Sequence, residues 1–427
     1  MKELLFIVYF FPPMGGSGVQ RPLKYVKYLN KFGWKPIILV PEPGRYHRFD
    51  RHLADELKQL IEEDKVVVYR VPGGTPLHWG TTKKQWNPRP LVARFLRQLS
   101  LLFLLPDNKK GWIPHGLAKV HEIMDTHDIK AIYATAPPYS NLMLASEIKK
   151  MYELPLIYDF RDDWLESHLI RYPSFLHRYW MKHLENKTLK VADTIIAINK
   201  PIKEAIEARH PLVPNYRIQP HGYDPEDFDD IPASETNKQT IKFLYSGTFY
   251  DESGPETFLR AIRAFFNRHS EWESRVELHF QGSTKDSYED LLSDLSLHHQ
   301  CYFHGYVNHL DAVRSMQKAD VLWLNNNHKQ KSHTITLSKT YEYMASGKPI
   351  LALIPEGDTM DILQQYGRSF IAKPDSIEEA YTAIEKLMKA ISEDSLPEVS
   401  HTFVKQFDRE KIAQDLALEL DALTQNS

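Results

Sequence analysis

A single cysteine, Cys301, in 427 residues excludes an internal disulfide framework and a Cys-cluster metal site, and it fits a reducing compartment. No run of about 18 apolar residues occurs, so no segment reads as a membrane-spanning helix. The apolar run Leu4 to Phe11 stops at Pro12-Pro13 with no small-residue cleavage pattern behind it, and so reads as a buried strand rather than a targeting segment. Surplus charge is also missing. The 53 Lys and Arg nearly balance 56 Asp and Glu, which argues against a nucleic-acid partner held by overall basicity. No tandem repeat of fixed period is present. What remains is an ordinary globular composition, 42% hydrophobic and 26% charged, long enough for two domains.

Short apolar runs alternate with stretches of helical spacing. The first strand leads through Gly15-Gly16-Ser17-Gly18 into Leu23, Val26, Tyr28, Leu29 and Phe32, then Gly33 and the second strand Pro36 to Val40. This is a βαβ unit. Lys65 to Val71, Ala131 to Thr135, Leu156 to Phe160 and Thr194 to Ile198 continue the series. Glu226 to Gln239 is acidic and polar and reads as a linker. A second series follows: Ile241 to Tyr245, Val276 to Phe280, Cys301 to Phe303, Val321 to Leu324, Pro349 to Leu353 and Ser369 to Ile371. The expected fold is α/β, with two doubly wound, Rossmann-like domains over 1–225 and 240–402 facing each other across a cleft. A last helical segment over 403–427 is expected to pack back on the N-terminal domain.

Two loops suit an anion. The Gly15, Gly16 and Gly18 loop lets backbone amides approach a phosphate at a helix start. Read structurally, it is a turn that needs positive φ. Arg21 stands where a dinucleotide fingerprint needs its third glycine, and no Walker lysine follows. The stretch Thr334 to Ile350 lies between two buried strands. It offers amides of Leu337, Ser338 and Lys339 and the Lys339 charge to a diphosphate, and the Glu342 carboxylate to two vicinal ribose hydroxyls. Read structurally, Glu342 is a solvated helix carboxylate. Arg161, Asp162 and Asp163 follow a strand end, where they read either as reactive groups or as an ion-pair turn.

Ser338-Lys339-Thr340-Tyr341-Glu342-Tyr343-Met344-Ala345-Ser346-Gly347-Lys348-Pro349 resembles the nucleotide-sugar signature of family 4 (group 1) retaining glycosyltransferases of the GT-B fold. Three further pieces are similar in order. These are Ala136-Pro137-Pro138-Tyr139-Ser140 with Asp159 to Trp164, which resembles a bacterial subgroup with Pro-Pro and Asp-Phe-Arg-Asp-Pro-Trp signatures; Pro220-His221-Gly222-Tyr223-Asp224; and Tyr245-Ser246-Gly247-Thr248. The resemblance implies transfer of a sugar from a nucleotide-diphosphate donor to a hydroxyl acceptor, without a cofactor or metal. Glu342 then corresponds to the ribose-holding second glutamate of the family's Glu-x7-Glu motif. Thr334 replaces the first glutamate, and Thr248 and Ser253 replace the basic residues that bind the diphosphate. Arg161 takes the place of a first-domain histidine. The resemblance thus gives Arg161 and Asp162 as catalytic groups. It gives Gly15, Gly16, Gly247, Thr248, Thr334, Leu337, Ser338, Lys339 and Glu342 as donor contacts.

Between Lys83 and Lys110 stand seven Lys or Arg against one acid, Asp107, with Leu91, Phe95, Leu99, Leu102 and Phe103 among them. This suits an anionic membrane surface, and equally a core-facing helix with a basic outer side. Together with the subgroup resemblance it suggests a lipid-linked or envelope saccharide acceptor and a cytoplasmic enzyme peripheral on the inner face of the cell membrane. A nucleotide-sugar epimerase and a non-catalytic nucleotide-sugar-binding protein remain as alternatives.

Overall fold

Alternation of buried strands and amphipathic helices gives two parallel sheets, each in its own unit. The computed structural model describes residues 1–43, 49–73, 105–167, 172, 174–228, 240–249, 254–282, 288–326 and 335–425. Met1–Pro220 with Glu410–Ser427 forms one unit and His221–Arg409 the other. The divisions therefore lie at Pro220/His221 and Arg409/Glu410, where the sequence reading put them at 225, 240 and 402.

The first unit contains β1 (Lys2–Ile7), β2 (Trp34–Pro41), β3 (Val67–Val71), β4 (Ile129–Ala136), β5 (Leu156–Phe160), β6 (Thr194–Ala197) and β7 (Asn215–Ile218). Their order is β3-β2-β1-β4-β5-β6-β7, with every pair parallel. Leu5 pairs with Ile37 on one side and Ile132 on the other. The helices are α1 (Ser17–Leu29), α2 (Arg51–Glu62), α3 (Ile113–Thr126), α4 (Ser140–Tyr152), α5 (Phe175–Leu189) and α6 (Lys200–Arg209).

Because strand side chains alternate, Leu5 and Ile7 face Val120, Ile123 and Leu142 of α3 and α4, whereas Leu4 and Phe6 face Leu23, Val26, Leu53 and Leu57 of α1 and α2. Asp50 caps α2 by accepting from the Leu53 N–H at 3.3 Å, and Asn199 caps α6 by accepting from Ile202 at 2.9 Å. Strand β7 was not foreseen. It is a short edge strand with Arg217 and Ile218 exposed, so it lacks the continuous apolar run of a buried strand.

The second unit contains β8 (Ile241–Ser246), β9 (Val276–Gln281), β10 (Cys301–Gly305), β11 (Val321–Asn325), β12 (Ile350–Leu353) and β13 (Ser369–Ala372), in the order β10-β9-β8-β11-β12-β13. Its helices are α7 (Glu256–Arg268), α8 (Glu289–Leu295), α9 (His309–Lys318), α10 (Lys339–Ala345), α11 (Asp358–Tyr366), α12 (Ile377–Ser392) and α13 (His401–Val404). Phe258, Ile262, Ile384 and Leu387 cover one face of the sheet, and Met316, Tyr341, Met344 and Leu363 the other. Helix α14 (Arg409–Gln425) ends the described chain and places Ile412, Leu416 and Leu420 in the core of the first unit.

The start of the expected linker is structured. Pro225–Phe228 is a 3-10 turn in which Asp227 is buried, and Asp224 just before it is buried as well. Residues 229–239 lie outside the described residues.

Strand order reverses between β1 and β4 in one unit and between β8 and β11 in the other. In open parallel sheets the carboxyl ends of strands at such switch points form ligand crevices. Among the described residues, no helix is long and apolar enough to cross a membrane.

Candidate functional site

At the carboxyl end of β8 the chain passes through Gly247, whose amide bonds the Gln281 carbonyl at 2.9 Å, to Thr248, whose hydroxyl donates to the Gly282 carbonyl at 3.2 Å. A Cβ on Gly282 would lie 2.7 Å from the Gly247 carbonyl oxygen, and one on Gly247 would collide with Lys339 Nζ. Close backbone approach therefore requires Gly282, whereas Gly247 is favoured by its φ of 155°. Helix α10 is stitched to this loop, since the Ser246 N–H donates to the Tyr343 hydroxyl at 3.0 Å. The turn before it is pinned from α11, with the Thr336 hydroxyl on Asp358 at 2.6 Å and the Thr359 hydroxyl on the Ile335 carbonyl at 3.2 Å.

Lys339 consequently sits against Gly247, its Nζ 4.2 Å from the centre of the Tyr245 ring. Burial pulls its pKa down to about 8, opposed by the Glu342 carboxylate. A cation held there with no direct ion pair among the described residues is suited to an incoming anion.

One helical turn on, Glu342 is mostly buried. Arg409 Nη2 lies 3.9 Å and His309 Nδ1 4.0 Å from its Oε1. At those separations the cations hold the carboxylate by charge and leave its lone pairs available to hydroxyl donors. His309 is fixed from behind by Asp227, 2.8 Å from Nε2. Burial opposes the imidazolium, but the Asp227 hydrogen bond and the Glu342 charge outweigh it, so the His309 pKa is raised. Arg409 is anchored through its own amide to the Tyr223 carbonyl at 2.9 Å. His309, Arg409 and Asp227 were missed from the sequence, because they lie in three separate segments with no shared spacing. Gly282 carried a readable signal, a glycine directly after a buried strand.

The structure thus brings Gly247, Thr248 and Lys339 together, with Glu342 one turn away. Leu337 and Ser338 form the turn before α10, and their carbonyls accept from the Thr340 and Tyr341 amides at 3.0 and 3.3 Å. Those two amides are therefore spent within the turn. Thr334 and Ser253 lie outside the described residues.

In the first unit, Gly16 at φ 109° opens α1, and the loop from Gly15 to Gly18 lies at the end of β1. Arg161, after β5, donates from Nη1 to the Gly18 carbonyl at 2.7 Å, from Nη2 to Pro137 at 2.5 Å and from Nε to Ala136 at 3.3 Å. Its guanidinium is buried, and three of its five N–H donors are taken by carbonyls. Arg161 thus clasps the segment after β4 to the first turn of α1.

Asp163 caps the following turn through the Leu165 and Glu166 amides, at 2.8 and 2.7 Å, and pairs with Arg209 at 3.0 Å. Asp162 makes no hydrogen bond among the described residues. Burial, reinforced by Asp163 and opposed by Arg161, pushes its pKa up to about 6. Arg21, which breaks the dinucleotide fingerprint, forms a buried fork with Asp159 at 3.0 and 2.8 Å, joined by the Tyr133 hydroxyl at 2.6 Å and that of Thr135 at 3.0 Å. Burial alone would raise the Asp159 pKa, but the Arg21 charge and these hydrogen bonds hold it below the usual carboxylate range.

Residues 227–397 match the family described as Glycosyl transferases group 1. The match falls within the second unit and covers most of it. No curated protein matches the chain. Among solved structures, sucrose-phosphate synthase (tll1590) from Thermosynechococcus elongatus aligns at TM-score 0.65 and 14% identity, over 100% of both chains. Anabaena Alr3699/HepE in complex with UDP and glucose aligns at 0.65 and 16%, over 99% of this chain and 100% of the other. The lipopolysaccharide outer core galactosyltransferase WaaB aligns at 0.58 and 13%, over 98% and 99%. At these identities the likeness establishes the fold, and that fold is GT-B. Of the residues expected to contact the donor, all but Gly15 and Gly16 fall in the second unit.

Proposed function

We propose that the protein transfers a hexosyl group, with retention, from a uridine diphosphate sugar to a hydroxyl of a lipid-linked or envelope saccharide precursor at the inner face of the cell membrane. The observation that carries this reading is the half-buried Lys339 ammonium against Gly247, beside a Glu342 carboxylate whose lone pairs are not consumed by direct bonds, at the switch point of a domain that matches the group 1 family. The uridine nucleotide is taken from the Anabaena relative, whose structure holds UDP and glucose.

In the reaction the bond from the sugar's anomeric carbon to the diphosphate oxygen breaks and one to the acceptor oxygen forms. The hydroxyl proton leaves with the diphosphate or to solvent. Lys339 neutralises charge that grows on the leaving diphosphate, and Glu342 accepts from the ribose hydroxyls, so positioning and electrostatics carry the rate. Asp162 is proposed as the first-unit group that faces an acceptor hydroxyl.

The test is turnover of a nucleotide-sugar panel with and without lipid-linked acceptors. Acceptor-dependent release of UDP is expected. Conversion of the nucleotide sugar without acceptor would make the protein an epimerase. Binding with no turnover under any acceptor would make it a non-catalytic binder.

A further inference from the structure

Helix α5 in the first unit shows two contrasting faces. Met181, Glu185, Thr188 and Leu189 are buried. On the opposite side Phe175, Leu176, Tyr179 and Trp180 are 81%, 53%, 63% and 53% exposed. Their i, i+1, i+4, i+5 spacing gathers them into one stripe over the first turn and a half. Scattered exposed apolar residues are ordinary, but four large ones in a single stripe are not.

The charges sort in the same way. The helix's sole acid, Glu185, is fully buried, held by Arg209 at 2.9 Å and His210 at 3.3 Å. Arg178, Lys182 and Lys187 are exposed, as is Lys190 just beyond the end. Steps of three and four carry the aromatic stripe on through His183 to Lys187 and Lys190. The same side of the helix is therefore aromatic at its start and cationic at its end. Trp180 sits edge-on between Tyr179 and His183, with centroids at 6.0 and 5.9 Å.

We infer that this face of α5 docks the protein on an anionic bilayer surface. Trp, Tyr and Phe favour the boundary between headgroups and acyl chains, where the ring is apolar and its polar edge stays wet. Lysines farther along can lay their stems on that surface while the ammonium reaches phosphate. A stripe with no exposed acid on its helix is complementary to negative lipid rather than to a mixed-charge protein surface. This inference does not depend on the nucleotide-site reading. It also places docking on residues other than Lys83 to Lys110, of which only Leu105 to Lys110 are described.

The full chain is sedimented with vesicles of phosphatidylglycerol in phosphatidylcholine, and with phosphatidylcholine alone. Binding to the first, weakened by salt, and little binding to the second are expected. Leu176→Ser with Trp180→Ser should lower the partition at least ten-fold. Lys182→Gln with Lys187→Gln should lower it by about five-fold per lysine and flatten the salt dependence. Both sets change exposed positions, so thermal unfolding and UDP affinity should match the parent, which separates failure here from failure of the donor site. The inference is overturned if the parent does not bind anionic vesicles. It is also overturned if the α5 variants bind like the parent while Lys83→Gln, Lys84→Gln, Arg94→Gln and Arg97→Gln together abolish binding. Self-association lost in the Leu176→Ser, Trp180→Ser protein, with no vesicle binding, would instead make the face an interface between copies.

Discussion

Replacing Lys339 by Met keeps an apolar stem on the Tyr245 ring and removes the charge, so the donor reading predicts two effects of opposite sign. The first is on stability. Folding lowers the Lys339 pKa from 10.5 to about 8 through burial. Between those values the unfolded chain holds more protons than the folded one, so stability rises with pH across that window. Below pH 8 the folded state carries the full cost of the desolvated charge, about 3.4 kcal/mol at 1.36 kcal/mol per unit. Lys339→Met should therefore be more stable than the parent at pH 7 by up to that amount, and the advantage should vanish above about pH 10.

The second effect is on binding. A hydrogen bond to a charged group contributes about 1.5–3 kcal/mol, so UDP affinity should fall roughly 10- to 150-fold while uridine affinity changes little. The parent's UDP affinity should also decline as pH passes 8, a decline absent from the variant, because the diphosphate is fully ionised well above its own pKa of about 6. Denaturant unfolding at pH 7 and 10 and calorimetry with UDP and uridine decide it. Unchanged or lower stability together with unchanged UDP affinity would refute the reasoning.

Glu342→Ala should weaken UDP and uridine alike by roughly 1–3 kcal/mol, since it leaves ribose hydroxyls unpaired, and equal affinity by calorimetry in a folded variant would remove Glu342 from the ribose site. His309→Gln, which takes away a neighbouring cation, should produce a smaller loss of the same kind that grows below neutral pH, where the imidazole of the parent is charged. Arg161→Met should lower the thermal midpoint and turnover together, because three carbonyls lose their donor. A normal midpoint with lost turnover would instead return Arg161 to the reacting groups.

Strand positions were legible because parallel strands buried on both faces read as unbroken apolar runs, Val321 to Leu324 most cleanly. Edge strand β7 was not, since it is half exposed and polar. Lys339 and Glu342 were legible because both sit on one short helix, at fixed spacing from Gly347 and the next strand. The partners of Glu342 were invisible for the converse reason. Asp227, His309 and Arg409 converge only through the fold, and Asp227 stood in a segment whose acidity read as a linker. Arg161 was legible as a residue and not as a role. Mixed charge beside a strand end reads as reacting groups or as an ion-pair turn, and the three carbonyl bonds of Arg161 carry no mark in the sequence.

The departure at Thr248 acquires a physical meaning on the proposed donor reading. Thr248 turns its hydroxyl onto the Gly282 carbonyl, so the loop after β8 offers a diphosphate close backbone approach rather than a fixed guanidinium charge. On the proposed reading charge stabilisation rests on Lys339, whose pKa burial lowers to about 8, whereas arginine stays charged throughout that range. A site built this way responds to its ligand. An entering diphosphate supplies the anion that the half-buried ammonium lacks, raises the lysine pKa again, and relieves the cost that the empty site carries. Donor binding should consequently stabilise this protein by more than its contact area suggests. Donor release should be quickest where Lys339 is neutral, which ties the pH dependence of turnover to one side chain of α10.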